Sequence, residues 1–203
     1  MRAHRLVSAL FTAVVLAAAV PAAHAAAWSK VASPNPSGGQ DVLNEVGRLP
    51  GTQVLYAVGR TNLGTLVLRS ANRGASWQVE SAPSPGTGAQ LFGVSVRARG
   101  VWAVGYRTGP SRSRTLILRR KSGTWKTIPS PNPDAADFLQ GVVTTPAGTW
   151  AVGYGTGTGA NSHPLILRWT GTAWKAQRVP ALPKGDNKLF GIAGSGSDLW
   201  AFG

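Results

Sequence analysis

The sequence predicts an all-β protein built from repeated four-stranded sheets, and three observations support this fold class. Short segments recur in the same order about every 49 residues. Each is rich in Val, Ile, Leu or Trp and is bounded by Gly, Pro, Ser or Asn, which is typical of strands. No apolar stretch after residue 25 shows the period of a helix. Four strands in a repeat of this length indicate the blade of a β-propeller.

The four predicted strands of each repeat, a to d, have separate motifs. Strand a carries Leu-x-x-Val or Leu-x-x-Ile, at 43–46, 91–94, 139–142 and 189–192. Strand b carries an aromatic residue, Ala, Val or Phe, and Gly, at 56–59, 102–105, 150–153 and 200–203. Strand c carries Leu-Val/Ile-Leu-Arg, at 66–69, 116–119 and 165–168. Strand d begins with a Trp that a Pro follows six residues later, at Trp28, Trp77, Trp125 and Trp174. The Trp series recurs once per repeat, so we expect it to pack between sheets.

These motifs divide the chain into blades. Three complete blades are predicted at 43–79, 91–128 and 139–177. A partial blade at 189–203 is joined by an N-terminal strand at 28–33, and its strand c is missing. Because an open ring leaves sheet edges unpaired, three explanations remain. The N-terminal strand takes the place of c, or two chains combine as a homodimer through the open blade edge, or the chain is a truncated propeller.

The first 25 residues have the organisation of a signal peptide. Arg2 and Arg5 precede the apolar stretch 6–20, which is short for a membrane span, and Ala23-His24-Ala25 resembles a cleavage site. The sequence therefore predicts a signal peptide at 1–25, a propeller at 26–203, secretion, and no membrane span after cleavage. An uncleaved membrane anchor is the alternative. The chain contains no Cys, so no disulfide is expected.

Several motifs resemble a known group of proteins. Trp-Ala-Val-Gly-Tyr stands at 102–106 and 150–154, Ser-Pro-Asn-Pro at 33–36 and 130–133, and Thr-Leu-Ile-Leu-Arg at 115–119. Together they resemble the repeats of secreted bacterial β-propeller proteins of the actinobacterial type. This resemblance implies a propeller fold and export, but most members of the group have no known activity.

A second resemblance lies in the first repeat. The segment 70–77 is similar to the Asp-box of sialidase-like propellers, with Asn72 in the place of the usual Asp. The resemblance implies a turn between strands c and d and no catalytic role. It leaves a sialidase-like glycoside hydrolase, or its inactive remnant, as the alternative function. Such enzymes pair a Tyr with a Glu, and Glu45 and Glu80 are the only two Glu residues and neither is expected in a loop that faces a pocket. The sequence leaves enzymatic activity uncertain and favours its absence.

The charge of the chain indicates a class of partner. There are 21 Lys and Arg against 7 Asp and Glu, a net charge of +14. A surface of this sign attracts polyanions over a Debye length of about 8 Å. No nucleic-acid-binding motif is recognisable, so nucleic acid is not an expected partner. An exported protein would instead meet an anionic glycan or a cell-wall polymer.

The candidate ligand-binding residues follow from the order of the strands. In a four-stranded meander the b–c and d–a loops share one end of the blade. We therefore expect binding residues at that end, in two classes: basic or titratable side chains, and Tyr rings that can stack on sugars. The candidates are Arg60, Arg107, Arg112, Arg114, Tyr106, Tyr154, His163, Lys184 and Lys188.

Catalytic, metal and cofactor sites are poorly supplied. After removal of the signal peptide only His163 remains of the three His residues, which excludes metal sites built from several His. Asp41 and Asp137 each stand two residues before a strand a, and this repeated position indicates turn capping. The sequence therefore predicts no catalytic residue, no metal site and no cofactor. We infer a binding or scaffolding propeller for an anionic glycan or an envelope polymer.

Overall fold

All regular structure in the described part of the chain is β-strand. The computed structural model describes residues 29–157, 161–180 and 182–203, and within them it contains fourteen strands and no helix. The all-β prediction is therefore confirmed. The signal peptide expected at 1–25 and Trp28 lie outside the described residues.

The strands form three four-stranded sheets and one two-stranded sheet. The first sheet contains β1 (Val42–Arg48), β2 (Leu55–Thr61), β3 (Gly64–Ser70) and β4 (Gln78–Val79). The second contains β5 (Gln90–Arg97), β6 (Gly100–Thr108), β7 (Ser113–Lys121) and β8 (Thr124–Thr127). The third contains β9 (Ala136–Thr145), β10 (Gly148–Thr156), β11 (Ser162–Trp169) and β12 (Trp174–Ala176). The last contains β13 (Gly191–Ser195) and β14 (Asp198–Phe202).

Each sheet is an antiparallel meander in which sequential strands are neighbours. The first strands of successive sheets pack against one another, β1 on β5, β5 on β9 and β9 on β13. The sheets thus follow each other face to face around their first strands, which is a propeller-like arrangement.

Glycine at the end of the b motif allows the first two strands of a sheet to approach closely. A Cβ on Gly153 would overlap the carbonyl oxygen of Phe138, and Gly105 stands in the same relation to Gln90. The pairing register shifts at both places, between Val152 and Gly153 and on β5 opposite Gly105. These bulges explain why the motif requires Gly, because any side chain would separate the strands.

The core lies between the sheets. Trp102, Trp125 and Trp174 are 4%, 4% and 3% exposed and belong to the two largest apolar clusters, so the expectation that they pack between sheets is confirmed. Trp77 is partly buried against a third cluster. Trp200 differs, because 75% of it is exposed.

The N-terminal strand predicted at 28–33 is not found in its described part. Residues 29–33 form no strand, and the chain reaches β1 through a turn at 36–39. Ser33-Pro34-Asn35-Pro36 explains this, since its two prolines lack the N–H groups that a sheet ladder needs. Over the same described residues, no helix is long and apolar enough to cross a bilayer.

Candidate functional site

The end of the sheets that carries the b–c and d–a connections, called here the upper end, holds a continuous row of aromatic rings. Its members are Phe92, Tyr106, Phe138, Tyr154 and Phe190, and we call them the aromatic row. Neighbouring ring centres are 5.9, 4.9, 5.0 and 6.4 Å apart along the row. The row therefore continues from the second sheet, across the third, to the residue that precedes β13.

Strand geometry places these rings together. Tyr154 pairs with Phe138 across β10 and β9, near the upper end of both strands. Phe138 also contacts Tyr106 of the second sheet, so it joins two sheets. Four of the rings are half-buried, whereas Phe190 is 57% exposed. The row therefore keeps accessible ring surface while its members hold each other in place.

A cationic side chain stands at each end of the aromatic row. Arg60 follows Gly59 as Tyr106 follows Gly105, and the two side chains line one cleft of about 300 Å³. At the other end the Nζ of Lys188 lies 5.2 Å from the centre of the Tyr154 ring. Burial, and to a smaller extent Tyr106, raises the pKa of Tyr154 above its ordinary value. Its hydroxyl therefore stays protonated at neutral pH and can donate a hydrogen bond.

A second group of candidates surrounds Asp134, further from the first strands. His163 Nε2 lies 2.7 Å from Asp134 Oδ2, and Arg112 donates a hydrogen bond to the carbonyl oxygen of Asp134. A cavity of about 540 Å³, called here the Asp134 pocket, is lined by Asp134, His163 and Lys184 together with several prolines. The pocket is thus polar on one side and rigid on the other.

Asp137 supports this group from below. It is fully buried, and its Oδ2 accepts a hydrogen bond from the backbone N–H of Asp134. Burial is the main cause that raises the pKa of Asp137 to about 6, and the Asp134 hydrogen bond opposes it. The turn-capping role expected of Asp137 is confirmed by this hydrogen bond. Because its carboxyl group is buried, Asp137 cannot reach a substrate, so Asp134 and Asp137 do not form the pair of exposed carboxylates that glycosidases need.

The remaining candidates, Arg107 and Arg114, face each other across β6 and β7. Two like charges at paired positions repel each other, and a bound anion would relieve that repulsion. The structure therefore separates the nine candidates. Arg60, Tyr106, Tyr154 and Lys188 belong to the aromatic row and its ends, Arg112, His163 and Lys184 to the surroundings of Asp134, and Arg107 and Arg114 to one hairpin.

Sequence reasoning missed three rings of the aromatic row. Phe92 and Phe190 directly follow the first Leu of their motifs, and Phe138 directly precedes it. A Phe beside this Leu in three of four repeats was the signal that could have found them. Within the described ranges, no group of three or more His, Asp or Glu side chains is placed to hold a metal ion.

Comparisons with known proteins place the chain in no named family. No family model matches it, and no curated protein matches it. A solved structure of YCF48 bound to D1 peptide is similar with a TM-score of 0.37 and 14% identity, over 84% of this chain. The chain spans 65% of the length of that structure.

Proposed function

We propose that this protein is an exported, non-enzymatic binding module for an anionic glycan or a cell-envelope polymer. The observation that carries the proposal is the aromatic row with Arg60 at one end and Lys188 at the other. In the same proposal the signal peptide is removed before Ala26, and the sheets are three complete blades of a propeller and part of a fourth.

The row suits a chain of sugar rings. Aromatic side chains offer flat apolar faces on which the CH groups of a pyranose can pack, and Tyr adds a hydroxyl group for hydrogen bonding. Tyr106 and Tyr154 share the central ring Phe138, so successive sugars can follow one line. Single exposed rings would hold one sugar at most, whereas a row supports a polymer.

The two cationic ends supply the preference for negative charge. Arg60 presents a planar guanidinium, which can donate two parallel hydrogen bonds to a carboxylate, sulfate or phosphate. Lys188 offers a compact charge above Tyr154. The upper end also carries Arg107 and Arg114, whose mutual repulsion an anion would reduce. A polymer with regularly spaced anionic groups therefore matches the row better than a neutral one.

The experiment measures retention of residues 26–203 in native gels that contain polygalacturonate, chondroitin sulfate or neutral dextran. We expect retardation by the anionic polymers that weakens as salt is added, because screening shortens the range of the attraction. Tyr154→Ala should reduce affinity about tenfold, in line with the contribution of a stacked ring. Lys188→Gln should weaken binding and reduce its salt dependence.

A matched control separates this site from the general charge of the protein. Arg48→Gln/Arg73→Gln removes two positive charges from the first sheet, at the opposite end from the aromatic row. It should leave retention by the anionic polymers close to that of the wild type. If this control weakens retention as much as Tyr154→Ala and Lys188→Gln together, or if dextran retards the protein equally, the proposal is wrong.

A further inference from the structure

A separate recess lies at the lower end of the sheets, where the a–b and c–d turns stand. It has a volume of about 610 Å³ and lies between the β5–β6 turn of the second sheet and the β9–β10 turn of the third. Its walls include Arg97, Arg99, Arg119, Trp102, Trp169 and Thr149, and we call it the arginine cleft. None of these residues belongs to the aromatic row or to the Asp134 pocket.

The arginine cleft is strongly and uniformly positive. Three guanidinium groups line it, from Arg97, Arg99 and Arg119. In the part of the chain that the structure describes, no carboxylate lies within 4.0 Å of any of the three, since the acidic groups there pair with Arg69, Arg120 and His163 instead. Three neighbouring cations without a counter-charge repel each other, and a bound anion stabilises such a group.

Arg119 is held in a fixed orientation by aromatic rings. Its Cζ lies 4.7 Å from the centre of the Trp102 ring and 5.5 Å from that of Trp169. The two rings are themselves 5.1 Å apart and tilted by 58°. The Nε of Arg119 is buried and has no hydrogen-bond partner among the described residues. Stacking therefore fixes this guanidinium, so less freedom is lost when it binds an oxyanion.

Arg97 and Arg99 complement this fixed group from the β5–β6 turn. Both are exposed, and Arg97 uses one Nη1–H to bond the carbonyl oxygen of Val96, which leaves its other donors for a ligand. Two adjustable guanidiniums above one fixed guanidinium can surround the oxygens of a single carboxylate or phosphate.

We propose that the arginine cleft binds an oxyanion, a carboxylate or a phosphate, that is carried by a sugar-sized ring. The charge selects the oxyanion. The volume and the half-buried Trp169 ring provide the space and the apolar wall that a ring needs and a bare inorganic ion does not. This site is independent of the proposed function, because it lies at the other end of the sheets and shares no residue with the aromatic row.

Isothermal titration calorimetry on residues 26–203 tests the site with four probes: glucose 6-phosphate, glucuronate, inorganic phosphate and glucose. We expect the wild type to bind at least one of the two charged sugars, and the preferred one identifies the oxyanion. Inorganic phosphate should bind about tenfold more weakly than the preferred sugar, and glucose should not bind. Arg97→Gln/Arg99→Gln should reduce the affinity for the preferred sugar about tenfold or more, since each Arg contributes charged hydrogen bonds.

Two further variants keep the test decisive. Arg48→Gln/Arg73→Gln removes the same charge from the same end of the first sheet and should change affinity less than twofold. Arg119→Lys keeps the charge but not the planar group, and should weaken binding if its thermal unfolding matches that of the wild type. Tyr154→Ala should bind the charged sugar normally even if it no longer binds polymers. Equal losses in the two double variants, equal binding of phosphate and the charged sugars, or no binding of either charged sugar would each overturn the proposal.

Discussion

Arg120 donates a hydrogen bond from its Nε to Oε2 of Glu80 at 2.9 Å, and this contact joins the second sheet to the end of the first. The same carboxylate oxygen accepts a hydrogen bond from Nε1 of Trp125 at 3.1 Å. The Glu80 side chain is only 17% exposed. One carboxylate thus satisfies a partly buried cation and a buried indole, which fixes how the two sheets pack.

We expect Glu80→Ala to lower the free energy of unfolding by about 2–4 kcal/mol, because it leaves a charged donor and the Trp125 indole without their acceptor. Urea unfolding followed by Trp fluorescence measures the change. Arg178→Ala, at an exposed loop position, is the control and should change stability by less than about 0.5 kcal/mol. Equal stability of the two variants would show that the Glu80 contacts do not hold the sheets together.

The second prediction concerns the glycine that ends the b motif of the third sheet. A Cβ at Gly153 would overlap the backbone of Phe138 and would approach Leu139 Cα to 2.8 Å. Backbone atoms cannot move aside as a flexible side chain can, so Gly153→Ala should destabilise the fold by about 3 kcal/mol or more. Gly39→Ala is the control, because its Cβ would come no closer than 3.4 Å to Asn62 Nδ2. Thermal unfolding that is unchanged in Gly153→Ala would contradict the close approach of the strands.

The third prediction is a pH dependence that originates at Asp137. Its pKa is about 6 in the folded protein, against 3.8 for an ordinary Asp. The folded state therefore binds more protons than the unfolded state between these values, and stability falls as pH rises from about 4 to about 6. Above pH 6 no further loss from this group is expected.

The variant Asp137→Asn isolates this effect. Its amide stays neutral and can still accept the hydrogen bond from the Asp134 N–H, so its stability should lack the loss between pH 4 and pH 6. Since one pKa unit corresponds to about 1.4 kcal/mol, the variant should exceed the wild type at pH 7 by up to about 3 kcal/mol. Urea unfolding at a series of pH values measures both curves. Parallel curves for wild type and variant would exclude Asp137 as the source.

Local patterns allowed the strands to be predicted, but contacts between sheets could not be predicted in the same way. The b motif around Trp102 announces a buried strand, since its apolar residues and Gly are adjacent in the chain. The contact of Phe138 with Tyr106 depends on how two sheets lie against each other, which no spacing in the sequence reports. The strand expected at 28–33 failed for a different reason, because Pro34 and Pro36 outweigh the repeat.

The two ends of the array of sheets expose surfaces that are covered elsewhere in the same array. Val46 of β1 is 58% exposed, whereas its repeat equivalents Val94 and Val142 are 5% and 6% exposed. Trp200 of β14 is 75% exposed, whereas its equivalent Trp102 is 4% exposed. Inside the array the first kind of surface is packed by the preceding sheet and the second kind by the following sheet. A second copy of the chain offers both coverings at once, so the surface around Trp200 of one copy fits the surface around Val46 of another.

We therefore expect residues 26–203 to self-associate, and Trp200→Ser to weaken the association because it removes the largest exposed apolar side chain from the contact. Light scattering after size exclusion, over a range of protein concentrations, measures the mass. Leu63→Ser is the control, because Leu63 is 67% exposed but lies in the turn between β2 and β3, away from both surfaces. A monomer at every concentration, or an oligomer that responds equally to both substitutions, would contradict this contact. A defined dimer that only Trp200→Ser dissociates would support a ring shared by two chains, because the fourth sheet of each copy would then gain the neighbour that every other sheet has.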